Sequence, residues 1–480
     1  MEHQRKLFQQ RGYSEDLLPK TQSQRTWKTF NYFTLWMGSV HNVPNYVMVG
    51  GFFILGLSTF SIMLAIILSA FFIAAVMVLN GAAGSKYGVP FAMILRASYG
   101  VRGALFPGLL RGDIAAIMWF GLQCYAGSLA CLILIGKIWP GFLTLGGDFT
   151  LLGLSLPGLI TFLLFWLVNV GIGFGGGKVL NKFTAILNPC IYIVFGGMAI
   201  WAISLVGIGP IFDYIPSGIQ KAENSGFLFL VVINAVVAVW AAPAVSASDF
   251  TQNAHSFREQ ALGLVVAYIL FAVAGVCIIA GASIHYGADT WNVLDIVQRW
   301  DSLFASFFAV LVILMTTIST NATGNIIPAG YQIAAIAPTK LTYKNGVLIA
   351  SIISLLICPW KLMENQDSIY LFLDIIGGML GPVIGVMMAH YFVVMRGQIN
   401  LDELYTAPGD YKYYDNGFNL TAFSVTLVAV ILSLGGKFIP FMEPLSRVSW
   451  FVGVIVAFAA YALLKKRTTA EKTGEQKTIG

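Results

Sequence analysis

The chain has 480 residues, of which 57% are hydrophobic and only 10% are charged. A soluble domain carries about 25% charged residues, so this composition excludes a water-soluble globule and points to the lipid bilayer. The net charge of +6 invites a nucleic-acid partner, but the basic residues are scattered over many short loops and form no patch, so none is expected.

Residues 1–28 are polar and basic, unlike a cleavable signal peptide, and read as a cytoplasmic tail. Apolar runs of roughly 17–25 residues, each long enough to cross a bilayer, then recur twelve times. They lie near 30–56, 59–81, 104–136, 156–176, 184–206, 227–249, 261–284, 303–329, 346–361, 368–394, 419–435 and 446–464. An even number puts both termini on one side. With the termini inside, the outer loops keep only Lys137, Lys221, Arg299, Lys361, Lys437 and Arg447 of the 28 Lys and Arg. The positive-inside rule therefore predicts a multi-pass protein of the cytoplasmic membrane with both termini cytoplasmic.

The first run contains His41-Asn42-Val43-Pro44-Asn45. Pro44 has no amide hydrogen and crowds the carbonyl four residues earlier. Backbone groups freed at membrane depth are tolerated only where protein or a wet cavity satisfies them. The run is expected to cross halfway, unwind and resume, with a simple proline kink as the plainer alternative. The sixth run is interrupted at Ala241-Ala242-Pro243, five spans after the first. Matched interruptions in two five-helix halves, which must run in opposite directions, point to a transporter site. The expected division is 29–206 and 207–394 for the halves, 395–464 for two additional helices with their preceding loop, and 465–480 for a cytoplasmic tail.

Polar groups inside spans are functional candidates. Trp119 and Gln123 in the third span share a helix face, which suits a flat, neutral, hydrogen-bonding ring but equally a core indole with a satisfied amide. Trp240 directly precedes the sixth-span interruption. Ser319, Thr320, Asn321 and Asn325 bring two hydroxyls and two amides within two turns of the eighth span, although hydroxyls also serve helix packing. Gly377, Gly381 and Gly385 form a small-residue face for close helix contact. The five cysteines (Cys124, Cys131, Cys190, Cys277, Cys358) fall in apolar segments without metal-ligand spacing and read as small core residues.

Asp113 lies six residues before Trp119, about 600° of helical rotation, and so off the Trp119/Gln123 face. An ion pair with Arg111 at the inner end is expected. Asp374 reads as hydrated near the outer end of its span, and Asp249 as a helix–loop bond. Gly171, Gly173 and Gly176 match a dinucleotide fingerprint, but no strand precedes them and the packing reading is preferred. A helix at the membrane interface is expected within 84–103. No carboxylate pair, zinc-binding helix or nucleophile triad suggests an enzyme, and no cofactor is implied.

The Leu35-Trp36 pair with Gly38 and the 41–45 break resembles the first helix of the nucleobase–cation symport family 1. So do Trp119-Phe120-Gly121-Leu122-Gln123, Trp240 nine residues ahead of Asp249, and the eighth-helix stretch Ser319–Asn325. Cys358-Pro359-Trp360-Lys361-Leu362, Gly377-Gly378-Met379-Leu380-Gly381-Pro382 and Asp402-Glu403-Leu404-Tyr405 resemble later landmarks. The likeness runs from about Arg25 to Lys465 and is nearest to the allantoin-permease branch.

This resemblance implies an all-α LeuT-like fold of ten helices in a 5+5 inverted repeat plus two. It implies a ring stacked between Trp119 and Trp240, with amides from Asn42, Gln123, Asn321 and Asn325 on its edges. It also implies a sodium-type site from the Gly38, His41 and Thr316 carbonyls with the Ser319 and Thr320 hydroxyls. His41, Thr316 and Val239 depart from the sodium-coupled hydantoin pattern. An imidazole at the break titrates near physiological pH, so the coupling ion is expected to be a proton or sodium, with His41 inclining toward the proton. The expected activity is import of allantoin, or a related neutral hydantoin or ureide, by alternating access. A purine or pyrimidine base permease is the alternative within the class, and a membrane-embedded enzyme or a channel the alternative outside it.

Overall fold

The computed structural model describes residues 2–254, 256–287, 289–290, 292–363, 366–406 and 414–478. The side chain of Asp374, for which hydration was expected, lies outside the described residues.

The chain is a bundle of long apolar helices. We label those that build or flank the site α1 (Thr29–Val40), α2 (Val43–Phe52), α3 (Thr59–Tyr87), α4 (Phe91–Tyr99), α5 (Ala116–Ile138), α6 (Leu156–Ile191), α7 (Ser225–Val239) and α8 (Ala241–Val245). They continue with α9 (Ala247–Thr251), α10 (Arg258–Tyr286), α11 (Leu303–Asn321), α12 (Ile327–Ile336), α13 (Tyr343–Leu356), α14 (Gln366–Met388), α15 (Leu420–Leu434) and α16 (Ser449–Thr478). Among the described residues, eight helices are long and apolar enough to cross a membrane, and a ninth joins them if the bent pair Pro440–Ser446 and Ser449–Lys465 is one span. The other apolar helices, Val43–Leu55, Ser225–Val239 and Tyr343–Leu356, are shorter.

The first apolar run is broken where expected. The backbone leaves the helix at His41 (φ −87°, ψ 61°) and Asn42 (φ −119°, ψ 160°). Pro44 does not itself kink anything. It sits in the first turn of α2, where its missing N–H costs nothing. The sixth run breaks around the predicted Ala-Ala-Pro, not at it. Trp240 (φ −93°, ψ 3°) and Ser246 (φ −92°, ψ 26°) are the non-helical residues, and Pro243 lies in the short α8 between them. In α6 the glycine-rich stretch ends one helical segment, with Gly176 at φ 58°.

One expectation is refined. The 84–103 loop does contain a helix, α4, but every residue of it is buried, including Arg96. It is covered by protein and does not lie open to lipid. The residues ahead of the first span are docked across the same end. Phe8, Leu17 and Leu18 are buried, and Phe8 stacks on Tyr405 with ring centroids 4.3 Å apart. Tyr13 donates to the Thr406 carbonyl at 2.9 Å, and the Trp27 amide donates to the Asn253 carbonyl at 2.9 Å.

The core brings α1 against α6, α10 and α11, and α5 against α6 and α11, while α7 and α8 pack on α3 and α14. The α14 glycines work as a close-contact face. A Cβ at Gly385 would lie 2.5 Å from the Val454 carbonyl, and one at Gly381 would lie 3.0 Å from that of Trp450, both on α16.

Candidate functional site

The two interruptions face each other across a cavity. Its walls come from the first break (Trp36, Ser39, Asn42, Asn45), from α5 (Trp119, Gln123), from the second break (Val239, Trp240, Ala242, Pro243) and from the α11–α12 junction (Thr320, Thr323, Gly324, Asn325). Of the six residues proposed from sequence to contact substrate, five line it; Asn321 does not.

Asn42 lines the cavity but its amide is committed to the break. Its Oδ1 accepts the Asn45 amide at 3.1 Å as the cap of α2, and its Nδ2 donates to the Ser39 carbonyl at 2.7 Å. Asn45 adds a bond to the Val40 carbonyl at 2.8 Å. The Asn42-Val43-Pro44-Asn45 sequence thus carries its own means of unwinding a helix and satisfying the ends.

Asn321 stands one layer behind. Its Nδ2 contacts the Phe120 carbonyl at 3.2 Å and Asn169 Oδ1 at 3.2 Å. Its Oδ1 accepts Asn325 Nδ2 at 2.9 Å. Asn325, at the cavity wall, is therefore held by a relay of amides.

Four polar atoms of residues that line the cavity have no partner among the described residues. Gln123 Oε1, Thr323 Oγ1 and the indole N–H groups of Trp36 and Trp240 are buried without a partner. Leaving such groups unpaired is costly. Among the described residues, no charged side chain lines the cavity. Trp240 is held edge-on by Trp36 (5.2 Å) and Tyr268 (5.3 Å), and Trp119 meets Phe372 at 5.8 Å. Trp36, Ser39, Asn45 and Thr323 were not singled out by the sequence as contacts. Trp36 and Ser39 share a helix face, and that spacing was the available signal.

Beside the cavity, carbonyls freed at the first break converge on Thr320. Its Oγ1 lies 3.4 Å from the Gly38 carbonyl oxygen, 3.0 Å from that of Ser39 and 2.9 Å from that of Thr316. One hydroxyl proton cannot serve three acceptors. Ser319 Oγ is fully buried without a partner, and a Cβ on Gly38 would lie 2.7 Å from it. Hard, uncharged oxygens packed this way fit a small cation. The His41 side chain, as distinct from its carbonyl, faces elsewhere. Its Nδ1 is 2.9 Å from the Tyr46 hydroxyl, and its ring stacks on Phe195 at 4.6 Å and meets Phe271 edge-on.

The expected Arg111–Asp113 ion pair does not form. Residues two apart on a helix point about 200° away from each other, and the segment Leu109–Ala115 is a wider π-helix. Both Asp113 oxygens are without a partner, while Arg111 reaches carbonyls of other helices. Asp249 does make a helix–loop bond, accepting the Phe91 amide at 2.8 Å.

Apolar helices long enough to cross a membrane, two of the chain's apolar runs interrupted around one aromatic cavity, are the architecture of a multi-pass membrane permease, and comparison with known proteins agrees. The chain belongs to the family of permeases for cytosine/purines, uracil, thiamine and allantoin, whose model matches residues 19–453. It is 98% identical over the whole of both chains to an Escherichia coli (strain K12) protein named "Putative allantoin permease". It is 38% identical to the allantoin permease of Bacillus subtilis (strain 168), over 94% of this chain and 93% of that one. The fold is shared with Mhp1, a nucleobase-cation-symport-1 family transporter solved closed with bromovinylhydantoin bound. The TM-score is 0.76 at 23% identity, covering 96% of each chain. These relatives are permeases, not enzymes.

Proposed function

We propose that the chain is a cation symporter importing allantoin, or a closely related hydantoin or ureide, across the cytoplasmic membrane by alternating access. The observation that carries this reading is the lining of the cavity: the aromatic faces of Trp119 and Trp240, the amides of Gln123 and Asn325 and the Thr323 hydroxyl, with no charge among them. A planar, uncharged ring bearing both N–H and C=O groups satisfies such a set. An anion finds no counter-charge there. The ring stacks between Trp119 and Trp240, Gln123 and Asn325 take its edges, and Asn42 and Asn321 hold the walls.

The architecture behind this reading is twelve spans in a 5+5 inverted repeat plus two. The eight long helices are joined by the two interrupted ones, by the short α13 and by the final helix, with both termini in the cytoplasm. Sodium is the coupling ion in this reading, bound by the Gly38 and Thr316 carbonyls, the Ser319 and Thr320 hydroxyls and the Ser39 carbonyl. The buried, unpartnered Ser319 Oγ is the observation in its favour. Proton coupling through His41 is the second reading, favoured by its Nε2, also buried without a partner.

The test is uptake of labelled allantoin against hydantoin, nucleobase and allantoate competitors, with sodium, proton or no imposed gradient. Saturable uptake competed by hydantoins is expected. Preference for a nucleobase, or equal competition by the carboxylate allantoate, overturns the substrate reading.

A further inference from the structure

Arg111 is 0% exposed, and a buried guanidinium ordinarily pairs with a carboxylate. Here its partners are uncharged. Nε donates to the Ala242 carbonyl and to Ser246 Oγ at 3.1 Å, and Nη2 donates to the Gly324 carbonyl at 2.8 Å. Nη1 is buried with no partner at all. The acid beyond, Asp249, gives an oxygen to the Phe91 amide.

The Gly324 acceptor is available because its helix is irregular there, whereas the Ala242 carbonyl is shared with the Ser246 amide at 3.3 Å. In a regular helix the Gly324 carbonyl accepts the amide four residues on, but residue 328 is proline and has no N–H. Gly324 lies in the π turn Ala322–Ile326. Ala242 and Ser246 belong to the twice-broken α8 stretch. Ala242 and Gly324 also line the cavity. One side chain from the segment leading into α5 therefore ties the second interruption to the π turn, on the side of the cavity nearest α4 and the docked N-terminal residues.

We propose that Arg111 is the inner lock of the cavity. It is a positioning residue that holds α8 against the π turn while the cavity is closed toward the cytoplasm. Its release from Ala242 and Ser246 lets the cavity open inward. The unused Nη1 donor leaves the guanidinium able to re-pair as it lets go. This inference rests on the alternating-access reading above.

A cysteine reporter at Thr323, in a background with Cys131, Cys190 and Cys358 replaced by Ser, tests it. Labelling by a membrane-impermeant maleimide is followed in right-side-out and inside-out vesicles. Bonds from a charged donor set the scale, so Arg111→Lys and Arg111→Gln are expected to raise inner-face labelling roughly 10-fold and to lower outer-face labelling. A merely structural residue would move neither in opposite senses. Ser246→Ala, which deletes one acceptor, shifts both the same way by less, and decides the matter if the Arg111 variants do not fold. Folded variants that label like the parent from both faces overturn the lock. A parent protein whose reporter is open to both faces at once overturns alternating access, and the lock with it, whatever the variants do.

Discussion

Asn325 donates its side-chain amide to the Asn321 carbonyl oxygen across 2.9 Å, and only Asn325 of the two reaches the cavity. Identical side chains one turn apart thus have different work. Asn325→Ala is expected to weaken allantoin binding roughly 10-fold with little change in melting. Asn321→Ala also strands Asn169 and Asn325, and costs about 1–3 kcal/mol of stability. Calorimetric titration and thermal unfolding on the same preparations separate the two. Equal effects on both readouts would remove the distinction.

The two tryptophans differ in the same sense. Losing a stacking face is worth about 1–3 kcal/mol, or roughly 5- to 150-fold in affinity, if base–aromatic stacking carries over. Trp119→Ala is expected to show that loss in a protein that melts normally. Trp240 is 5% exposed and wedged between Trp36 and Tyr268, so Trp240→Ala also opens a core cavity costing on the order of 3–5 kcal/mol. Trp240→Phe restores melting before it restores affinity. Parent-like binding by folded Trp119→Ala sinks the stacked ring.

Coupling is read from Gly38. Adding a Cβ there places it 2.7 Å from Ser319 Oγ, so Gly38→Ala and Ser319→Ala are both expected to abolish stimulation by an imposed sodium gradient. Binding of allantoin at saturating concentration survives in each. If His41→Gln instead removes accumulation driven by a proton gradient, and the Ser319 change does nothing, protons couple transport.

Lys20 gives a pH dependence outside the spans. Burial lowers its ammonium to about 8, against the opposing pull of Asp249 and Asp16. Between about 8 and 10.5 the folded chain has shed this proton while the unfolded chain still holds it. Stability from this group therefore rises with pH across that window and is least below it. Thermal melting from pH 7 to 11 should show the rise in the parent and lose it in Lys20→Met.

The first break was legible because its markers are local, Asn42 as a cap and Pro44 in the first turn that follows; the second was placed only to within a few residues, since Pro243 lies inside the short helix between Trp240 and Ser246. The aromatic and amide faces followed from four-residue spacing. What escaped was whatever depends on a second helix. Nothing near Asn321 in sequence says that Asn169 waits behind it. The π turns at 109–115 and 322–326 change the rotation per residue, so angular arguments from a regular helix fail just there. The Arg111–Asp113 expectation erred more simply, since neighbours two apart face away from each other. Pro328 was a usable sign that the Gly324 carbonyl would need an outside donor.

The docked N-terminal residues impose an order on synthesis. Phe8 and Tyr13 find their partners at Tyr405 and Thr406, and the Arg11 guanidinium donates to the Tyr405 carbonyl at 2.7 Å. Residues 8–13 cannot settle until the chain as far as Tyr405 and Thr406 has been made and threaded into the bilayer. Until then Phe8, Leu17 and Leu18 present a bare apolar surface to water. A nascent chain stalled before residue 406 should be recognisable by that surface, cut by protease beside Phe8, Leu17 and Leu18, which the finished protein buries.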